Sequence, residues 1–318
     1  MKDKVSTVLA FDTSNYTTSV SVIDRFESIV LDMRMILNVK QGGRGLRQSH
    51  ALFQHNQNLP DILEKCFAQV PSSLIGAIAV SDRPRPVAGS YMPVFTAGLS
   101  TGRCLASTLN VPLLKFSHQE GHLAAGAYGS GISMAEPFLA FHLSGGTTEL
   151  LYVRDGLITK IGGSGDISFG QLIDRIGVHM GLGFPAGSEM DRYVRNVNAI
   201  GKSLLRPVHF KDLNINLSGL ETQASRWIEK DSPDLESVSW QLFKTIADAL
   251  ITWTELAVKK AGCNQVLFTG GVASSETIRR MVMDHFENTE ERIAFGLPSL
   301  STDNAVGTGL LGVREIWP

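Results

Sequence analysis

Hydrophobic and polar positions alternate along the chain in blocks, and these blocks predict strands and helices in alternation. Residues 7–12, TVLAFD, form an apolar, β-rich run, and a polar segment separates them from a second such run, VSVID. This order predicts a strand, a tight polar turn and another strand. Residues 138–153 repeat the order as FLAFHLSGGTTELLYV. The sequence therefore predicts two hairpins.

The two predicted hairpins also resemble each other residue by residue. FDTSNYTTSV, residues 11–20, aligns with FHLSGGTTEL, residues 141–150, at an offset of 130 residues. A phenylalanine, a serine and a pair of threonines match. Ten positions are too few to establish a duplication, but in both copies the turn is rich in hydroxyl groups and small side chains.

The segments around the hairpins have helical and strand patterns in alternation. Before the second hairpin they predict a helix at 48–69 with a break or a second start at Pro60, a strand at 75–82, a loop at 83–93, a helix at 95–110 and a short strand, VPLLKFS. After it they predict a helix at 174–183, a loop entering a helix in FPAGSEMDRYV, a long helix at 236–260, a strand, glycine turn and helix at 265–286, and a C-terminal loop entering a helix. This alternation is typical of an α/β fold.

Composition narrows the class of protein. The 318 residues suit one large or two modest domains, and 43% hydrophobic with 19% charged residues is a globular balance. A net charge of −2 gives no overall positive field that would attract nucleic acid, but it is compatible with a local basic patch. Cys66, Cys104 and Cys263 form no paired motif, so we expect buried free thiols in a reducing compartment. Without a signal-like or membrane-spanning run, we expect a cytoplasmic protein without membrane association.

Two glycine-rich turns are candidates for binding phosphate. Ser144–Thr148 offers backbone N–H groups and hydroxyls without bulk, and Gly270-Gly271 lies between a predicted strand and helix, where anions are favoured. Either pair is also an ordinary tight turn. Two duplicated hairpin turns that face each other would hold the phosphates of a nucleotide between two lobes. No Walker-type GxxxxGK(S/T) is present, and no GxGxxG follows a predicted strand.

Two histidines are candidate metal ligands. His118 and His122 are four residues apart, a spacing that places both on one face of a helix. Two ligands do not make a zinc or iron site, and the spacing also occurs without metal. No HExxH is present, because Glu120 follows His118 by two residues. Asp303, in STDNAVG, is a candidate third ligand, and His142 is either a fourth ligand or a hydrogen-bonded histidine of a strand.

These segments together resemble one family, the tRNA threonylcarbamoyladenosine synthases, once called O-sialoglycoprotein endopeptidases. HQEGHLAAG resembles the family's HMEGH segment, and FDTSNYTTSVSV resembles TSCDETxxAV. Further along, HLSGGTTEL resembles VSGGHTQL, FGQLIDRIGVHMGLGFPAG resembles GEAFDKTAKLLGLxYPGG, INLSGLETQA resembles FSGLKTA, LFTGGVASS resembles AGGVSAN and STDNAVG resembles CTDNGAM. The resemblance covers nearly all of residues 7–312 in one order.

The resemblance implies an actin/hexokinase/Hsp70-like α/β fold with two ribonuclease H-like lobes. The expected lobes are residues 1–115 with 299–318, and residues 116–298, with nucleotide and metal in the cleft between them. One iron or zinc ion would be bound by His118, His122 and Asp303. ATP or threonylcarbamoyl-adenylate would be bound by His142, Leu143, Ser144, Gly145, Gly146, Asp174, Gly187, Gly270, Gly271 and Ser275.

The resemblance also implies a reaction and partners. The family transfers the threonylcarbamoyl group from the adenylate to the amino nitrogen of adenosine 37 of tRNA. Its members work with an inactive homologue and a small ATPase, so we expect a heterodimer or a homodimer. A metal ion would polarise the carbamoyl oxygen as a Lewis acid.

The chain departs from the family's motifs near the expected transfer site, which predicts a divergent paralogue. The acidic pair of TSCDET is replaced by residues 15–17, NYT, and the small loop AGPGL by a segment with Arg83 and Arg85. The other replacements are Thr147, Gln171, Arg175 and Ser275. Two alternatives to tRNA modification therefore stay open, namely a carbamoyltransferase with another acceptor and a non-catalytic nucleotide-binding partner. No nucleophile–base pair supports proteolysis.

Overall fold

A computed structural model describes residues 6–38, 46–197 and 204–318. Its strands are β1 (Thr7–Asp12), β2 (Thr17–Asp24), β3 (Ile29–Ile36), β4 (Ile75–Arg83), β5 (Leu113–Ser117), β6 (Phe138–Leu143), β7 (Thr148–Arg154), β8 (Leu157–Ser164), β9 (Phe210–Lys211), β10 (Asn214–Ile215), β11 (Gln265–Thr269) and β12 (Arg292–Phe295). Its helices are α1 (Gln48–Gln69), α2 (Phe95–Leu109), α3 (His118–Ala127), α4 (Phe169–His179), α5 (Gly187–Val194), α6 (Ser218–Asp231), α7 (Leu235–Ala261), α8 (Glu276–Phe286) and α9 (Val306–Ile316).

Contacts divide the chain into two compact units. The first comprises Met1–Ala125 with Thr302–Pro318, and the second comprises Gly126–Ser301. The divisions fall later in the chain than the expected lobe boundaries after residue 115 and before residue 299. The reason is that α3 packs against α9 through Gly121 and Gly307, which assigns most of α3 to the first unit.

The two sheets have the same arrangement of five strands. The first has the order β3-β2-β1-β4-β5, with β1, β2 and β3 antiparallel in succession and with β4 and β5 parallel to β1. In the second, β8-β7-β6-β11-β12 repeats this order and these directions, and β10 and β9 extend the sheet beyond β8. The predicted hairpins are β1-β2 and β6-β7, so each opens its sheet from the equivalent position.

Strand β1 is buried on both faces, and its alternating side chains pack against different helices. Leu9 and Phe11 belong to the core that α1 and α2 cover. On the other face, Ala10 lies against Gly309 of α9, where an added Cβ would be 3.3 Å from the Cβ of Ala10. All six residues of β1 are therefore inaccessible to solvent, as expected for a strand with helices on both faces of its sheet.

The core of the second unit is aromatic. Phe141 of β6 stacks on Phe268 of β11 with ring centroids 4.7 Å apart, and Trp253 of α7 meets Phe141 edge-on at 5.2 Å. All three side chains are fully buried. The long helix α7 thus packs its apolar side on the two central parallel strands, as the 236–260 periodicity predicts.

Several boundaries differ from those predicted. Pro60 does not interrupt α1, which is continuous from Gln48 to Gln69. Pro60 and Asn56 are both exposed, so the carbonyl that loses its helical partner lies on the solvated side. The apolar stripe of α1 packs on the core of the first unit. Cys104 is exposed on the outside of α2, contrary to the expectation of buried thiols.

Helix α4 begins earlier than predicted because of a capping box. The Ser168 hydroxyl accepts a hydrogen bond from the Gln171 N–H at 3.0 Å, and the Gln171 amide oxygen accepts one from the Ser168 N–H at 3.1 Å. This reciprocal pair starts the helix at Phe169 rather than at residue 174. The patterns did not predict β3, β8, α6 or β12. Among the described residues, no helix has the length and apolar character needed to cross a bilayer.

Candidate functional site

Three potential metal-ligating side chains converge in the first unit. Asp303 Oδ1 lies 3.4 Å from His118 Nε2 and 3.3 Å from His122 Nε2. One ligand atom from each of the three residues lies within 4.8 Å of the others, and this is the group of metal-ligating side chains found among the described residues. The structure therefore brings together the three residues that the sequence suggested as ligands.

The two histidines are positioned by the start of α3. Ser117 is the last residue of β5, and its hydroxyl accepts a hydrogen bond from the Glu120 N–H at 3.2 Å. The Glu120 carboxylate in turn accepts one from the Ser117 N–H at 2.6 Å. These reciprocal bonds are a capping box, which starts the helix directly at His118. The sequence alone indicated no role for Glu120. In the structure it fixes the start of the helix that carries both histidines.

Asp303 is positioned by the loop that enters α9. The side-chain oxygen of Asn304 accepts a hydrogen bond from the Val306 N–H at 3.0 Å, at the first turn of α9. The Ser19 hydroxyl of β2 accepts one from the Ala305 N–H at 2.8 Å. These bonds hold the backbone on the C-terminal side of Asp303 and restrict where its carboxylate can lie.

The ligand-bearing elements approach each other through glycine. An added Cβ at Gly307 would lie only 1.8 Å from the carbonyl oxygen of Gly121. At Gly121 an added Cβ would meet the Thr308 hydroxyl at 3.0 Å. Because neither helix carries a side chain at this contact, the backbones of α3 and α9 are adjacent, and Asp303 reaches the histidines from the start of α9.

A buried carboxylate at the end of β1 contacts the first histidine. Asp12 is 1% exposed, and its Oδ2 lies 2.8 Å from His118 Nδ1. The same carboxylate accepts hydrogen bonds from the Ser81 hydroxyl at 2.8 Å and from the Ser14 N–H at 2.9 Å. Ser81 also hydrogen-bonds the Thr308 hydroxyl at 2.9 Å. Asp12 therefore links β1, β4 and α9 to the candidate ligand His118.

Charge and burial act in opposite directions on these groups. Burial alone would lower the pKa of His118, but the Asp12 carboxylate, aided by Asp303, raises it to about 10. Burial would raise the pKa of Asp12 and of Asp303, yet the adjacent imidazoles lower both, that of Asp303 well below its usual range. A metal ion at Nε2 would replace the proton that His118 directs at Asp303, so metal binding would release protons.

The donor set and two of its three donor separations fit a transition metal. For metal–ligand bonds of about 2.1 Å in a tetrahedron, ligand atoms lie about 3.4 Å apart. The two nitrogen–oxygen separations, 3.4 and 3.3 Å, match this spacing. Two imidazoles and one carboxylate are a set found in zinc and in non-haem iron sites, with positions left for a substrate. The Nδ1 of His118 contacts a carboxylate, which is typical of metal-bound histidine.

In the second unit, the predicted phosphate-binding turns lie at the ends of neighbouring parallel strands. Gly270, at the end of β11, has a φ of +98°, and an added Cβ would lie 2.4 Å from the Leu143 carbonyl oxygen at the end of β6. Only glycine suits this position. By contrast, an added Cβ at Gly145, Gly146 or Gly271 would meet nothing within 4 Å. These glycines therefore have open space on that side.

The Ser144–Gly146 turn is held from two sides. The Ser144 N–H donates to the Thr147 carbonyl at 2.8 Å, and the Thr147 N–H donates to the Ser144 hydroxyl at 3.0 Å. From α4, the Ser168 hydroxyl donates to the Gly145 carbonyl at 2.7 Å. The turn is thus a fixed element next to the N-terminus of α4, the kind of place where backbone N–H groups bind anions.

The other expected nucleotide-binding residues already have partners in the second unit. The Asp174 carboxylate accepts a hydrogen bond from the Ala186 N–H at 2.8 Å, directly before Gly187. The Ser275 hydroxyl donates to the buried Asp191 at 2.7 Å and caps α8. Asp174 therefore fixes the entry of α5, and Ser275 fixes the start of α8. His142 lies on β6, beside the same turn.

The replaced residues differ in environment. Arg83 contacts Asp82 at 2.5 Å and Glu120 at 3.7 Å, so it pairs with acids of the first unit. Tyr16 is 43% exposed in the β1-β2 turn. In the second unit, Arg175 pairs with Glu221 at 3.0 Å. These contacts give Arg83 and Arg175 local partners.

Asp12 and Ser81 also contact the site, and the sequence motifs did not indicate either of them. Asp12 is the last residue of the central strand β1, where polar side chains meet the end of a sheet. In the aligned hairpins it is also the counterpart of His142. A lone acid at the end of an otherwise apolar strand is the signal that would have found it. Nothing in the sequence around Ser81 indicates a comparable role.

Comparisons with known proteins agree with the resemblance of the sequence motifs to one family. Residues 36–309 match the family model described as TsaD, tRNA N6-adenosine threonylcarbamoyltransferase. The chain is similar to a tRNA N6-adenosine threonylcarbamoyltransferase of Thermosipho melanesiensis, with 28% identity over 313 residues that cover 96% of this chain and 94% of the relative. A protein of Methanopyrus kandleri with the same description is 28% identical over 292 residues, which cover 89% of this chain and 81% of the relative.

Two solved structures confirm the fold class. Full-length HypF in its phosphate- and nucleotide-bound form matches with a TM-score of 0.62 at 11% identity, over 100% of this chain and 48% of HypF. The chain thus spans about half the length of HypF. Component A of (R)-2-hydroxyglutaryl-CoA dehydratase from Acidaminococcus fermentans matches with a TM-score of 0.54 at 11% identity, over 98% of both chains. The fold is the actin/hexokinase/Hsp70 type with two α/β lobes, as expected.

The family model covers most of the chain, and relatives described as threonylcarbamoyltransferases match nearly its full length. The three candidate metal ligands, His118, His122 and Asp303, stand together in the structure. The chain belongs to the TsaD family of tRNA N6-adenosine threonylcarbamoyltransferases.

Proposed function

We propose that this protein transfers a threonylcarbamoyl group from threonylcarbamoyl-adenylate to the amino nitrogen of adenosine 37 of tRNA. The observation that carries the proposal is the convergence of His118, His122 and Asp303 in a member of the TsaD family. The three side chains are buried or half-buried, and a capping box and a glycine contact hold the elements that carry them. Such an arrangement of polar side chains supports a role in binding a ligand.

In this reaction the adenosine amino nitrogen forms a bond to the carbamoyl carbon. The bond between that carbon and the adenylate oxygen breaks, AMP leaves with the electron pair, and the nitrogen loses a proton. A bound iron or zinc ion would supply Lewis-acid polarisation of the carbamoyl oxygen. His118, His122 and Asp303 would hold the ion, and Asp12 would keep His118 turned with Nε2 toward it.

The second unit would bind the adenylate. The Ser144–Gly146 turn and Gly270-Gly271 offer backbone N–H groups for the phosphate, and open space beside three of these glycines supports this role. Asp174 and Ser275 would act through the entries of α5 and α8, because their side chains already hold those segments.

The loss of carboxylates at residues 15–17 favours a second candidate function. A chain that keeps its metal ligands but lacks the family's acidic pair would bind nucleotide and support another protein, or would carbamoylate a different acceptor. Tyr16 is exposed where the acidic pair is expected. This observation makes the identity of the acceptor the decisive question.

A transfer assay separates these functions. The full chain, supplied with metal, threonylcarbamoyl-adenylate and tRNA that lacks the modification, is incubated with and without the homologue and ATPase of its own organism, and nucleosides are analysed by mass spectrometry. We expect threonylcarbamoyladenosine from the wild type and at least about a hundredfold less from Asp303→Ala. An Asp231→Asn variant, which changes an exposed carboxylate of α6, should match the wild type. Metal-loaded protein that yields no product on tRNA under all conditions would refute the proposal.

A further inference from the structure

A groove in the second unit is lined by basic side chains. It has a volume of about 420 Å³ between the chain that enters β9 and the first turns of α6. The basic lining residues are Arg206, His209 and Arg226, and no aspartate or glutamate lies among the lining residues. The groove belongs to neither the metal ligands nor the expected nucleotide-binding residues.

The basic side chains of the groove have no acidic partner among the described residues. Within the described ranges, the side chains of Arg206, His209 and Arg226 have no hydrogen-bond or ion-pair partner. Arg175 and Arg195 of the same unit, by contrast, pair with glutamates at 3.0 and 2.9 Å. Other arginines of this unit therefore form local ion pairs, whereas Arg206 and Arg226 of the groove do not.

The frame that presents these groups is rigid. The Arg206 N–H donates to the Gln223 side-chain oxygen at 2.8 Å, which fastens the entering segment to α6. The start of α6 is held by Asp166, whose carboxylate accepts hydrogen bonds from the N–H groups of Leu217 and Ser218 at 2.8 and 2.9 Å. Both walls of the groove are thus fixed through hydrogen bonds to backbone.

The shape favours an extended ligand over an enclosed one. Most lining residues are exposed, namely Arg206, Pro207, His209, Asn216, Gly219, Thr222 and Arg226. No Phe, Tyr or Trp lines the groove to stack a base. Exposed guanidinium groups on an open surface, with hydroxyl and amide side chains between them, suit successive phosphates of a nucleic-acid backbone.

We propose that this groove binds the phosphate backbone of the RNA acceptor, with Arg206 and Arg226 each contacting a phosphate and His209 adding a weaker contact. The proposal rests on the proposed function, because it takes tRNA as the acceptor. It also resolves an apparent conflict: a chain with a net charge of −2 has no overall attraction for RNA, so binding requires a local basic surface.

The test is the affinity for unmodified tRNA, measured by fluorescence anisotropy at 50 and 200 mM salt. We expect the double variant Arg206→Glu/Arg226→Glu to bind at least about tenfold more weakly at low salt, with a salt dependence reduced by about two phosphate contacts. The matched control is Arg292→Glu, an exposed arginine on β12 at the opposite edge of the sheet, and it should bind like the wild type. Arg206→Gln/Arg226→Gln should show an intermediate loss.

The outcomes separate this inference from the proposed reaction. Equal tRNA affinity of the double variant and the wild type would refute a role of the groove in binding tRNA. A wild type that does not bind tRNA would refute it as well. Circular dichroism and zinc content should be unchanged in the variants, so a loss of affinity cannot be assigned to unfolding. If the wild type binds tRNA through the groove but forms no threonylcarbamoyladenosine, the groove is supported as a tRNA-binding surface and the proposed function is refuted.

Discussion

Asp12 Oδ2 lies 2.8 Å from His118 Nδ1, and the carboxylate that makes this contact is 1% exposed. The contact fixes the ring so that Nε2 points toward Asp303, 3.4 Å away. Ser81 and the Ser14 backbone occupy further positions on the same carboxylate. A histidine held in this manner presents one nitrogen to a metal and cannot easily turn away.

Replacing Asp12 should weaken metal binding without removing a ligand. We expect Asp12→Asn to lower the affinity for zinc by about 10- to 100-fold, because the imidazole loses its charged partner and its fixed orientation. Calorimetry with zinc alone measures this affinity. Asp191→Asn is the matched control, since Asp191 is also buried and hydrogen-bonded but caps α8 in the second unit. Equal zinc affinity of Asp12→Asn and the wild type would show that the contact has no positioning role.

The three ligands should hold one metal ion per chain. Protein purified without chelator should contain about one iron or zinc, and His118→Ala, His122→Ala or Asp303→Ala should each reduce this content severely. His285→Ala is a suitable control, because this exposed histidine pairs with Glu255 in the second unit. Metal content by plasma mass spectrometry decides the matter. Retention of metal in all three ligand variants would place the metal elsewhere.

A side chain at Gly307 should separate α3 from α9. In Gly307→Ala the new methyl group would overlap the Gly121 carbonyl, 1.8 Å away, so the helices must move apart. We expect a loss of about 1–3 kcal/mol of stability together with weaker zinc binding, measured by urea unfolding and calorimetry. Gly183→Ala, where an added Cβ meets nothing within 4 Å, should change neither. A variant with unchanged zinc affinity would contradict the role of this contact.

Asp166 should make stability depend on pH in the acidic range. Burial would raise the pKa of Asp166, but hydrogen bonds from the backbone of Leu217, Ser218 and Ile167 lower it strongly. Its contribution is therefore complete above the ordinary value of about 3.8 and is lost as the pH falls below that value. We expect Asp166→Asn to cost about 1 kcal/mol at pH 7, with the difference shrinking below pH 4.

The control for Asp166 lies at the other end of the same helix. Asp231→Asn removes the same charge from the C-terminal end of α6, where a carboxylate is unfavourable, and should not destabilise. Urea unfolding between pH 3 and 7 measures both variants. A difference between Asp166→Asn and the wild type that stays constant down to pH 3 would contradict the capping role of the carboxylate.

Local patterns predicted the hairpins and most helices, because strand and helix periods are set by neighbouring residues. The exact extent of α1 was not predictable, since whether Pro60 breaks a helix depends on the solvation of the Asn56 carbonyl. Residues His118 and His122 were visible through their spacing, and Asp303 through its loop motif. Asp12 was not, because its contact joins residues 106 positions apart and arises only when β1 lies beside α3. The Gly121–Gly307 contact was hidden for the same reason.

Anomalous X-ray scattering from crystals of the full chain grown with zinc tests the metal site directly. We expect a single strong peak about 2.0–2.2 Å from His118 Nε2, His122 Nε2 and an oxygen of Asp303, with Asp12 still hydrogen-bonded to His118 Nδ1. Absence of a peak at these three residues in zinc-saturated crystals, or a peak on other side chains, would contradict the metal site.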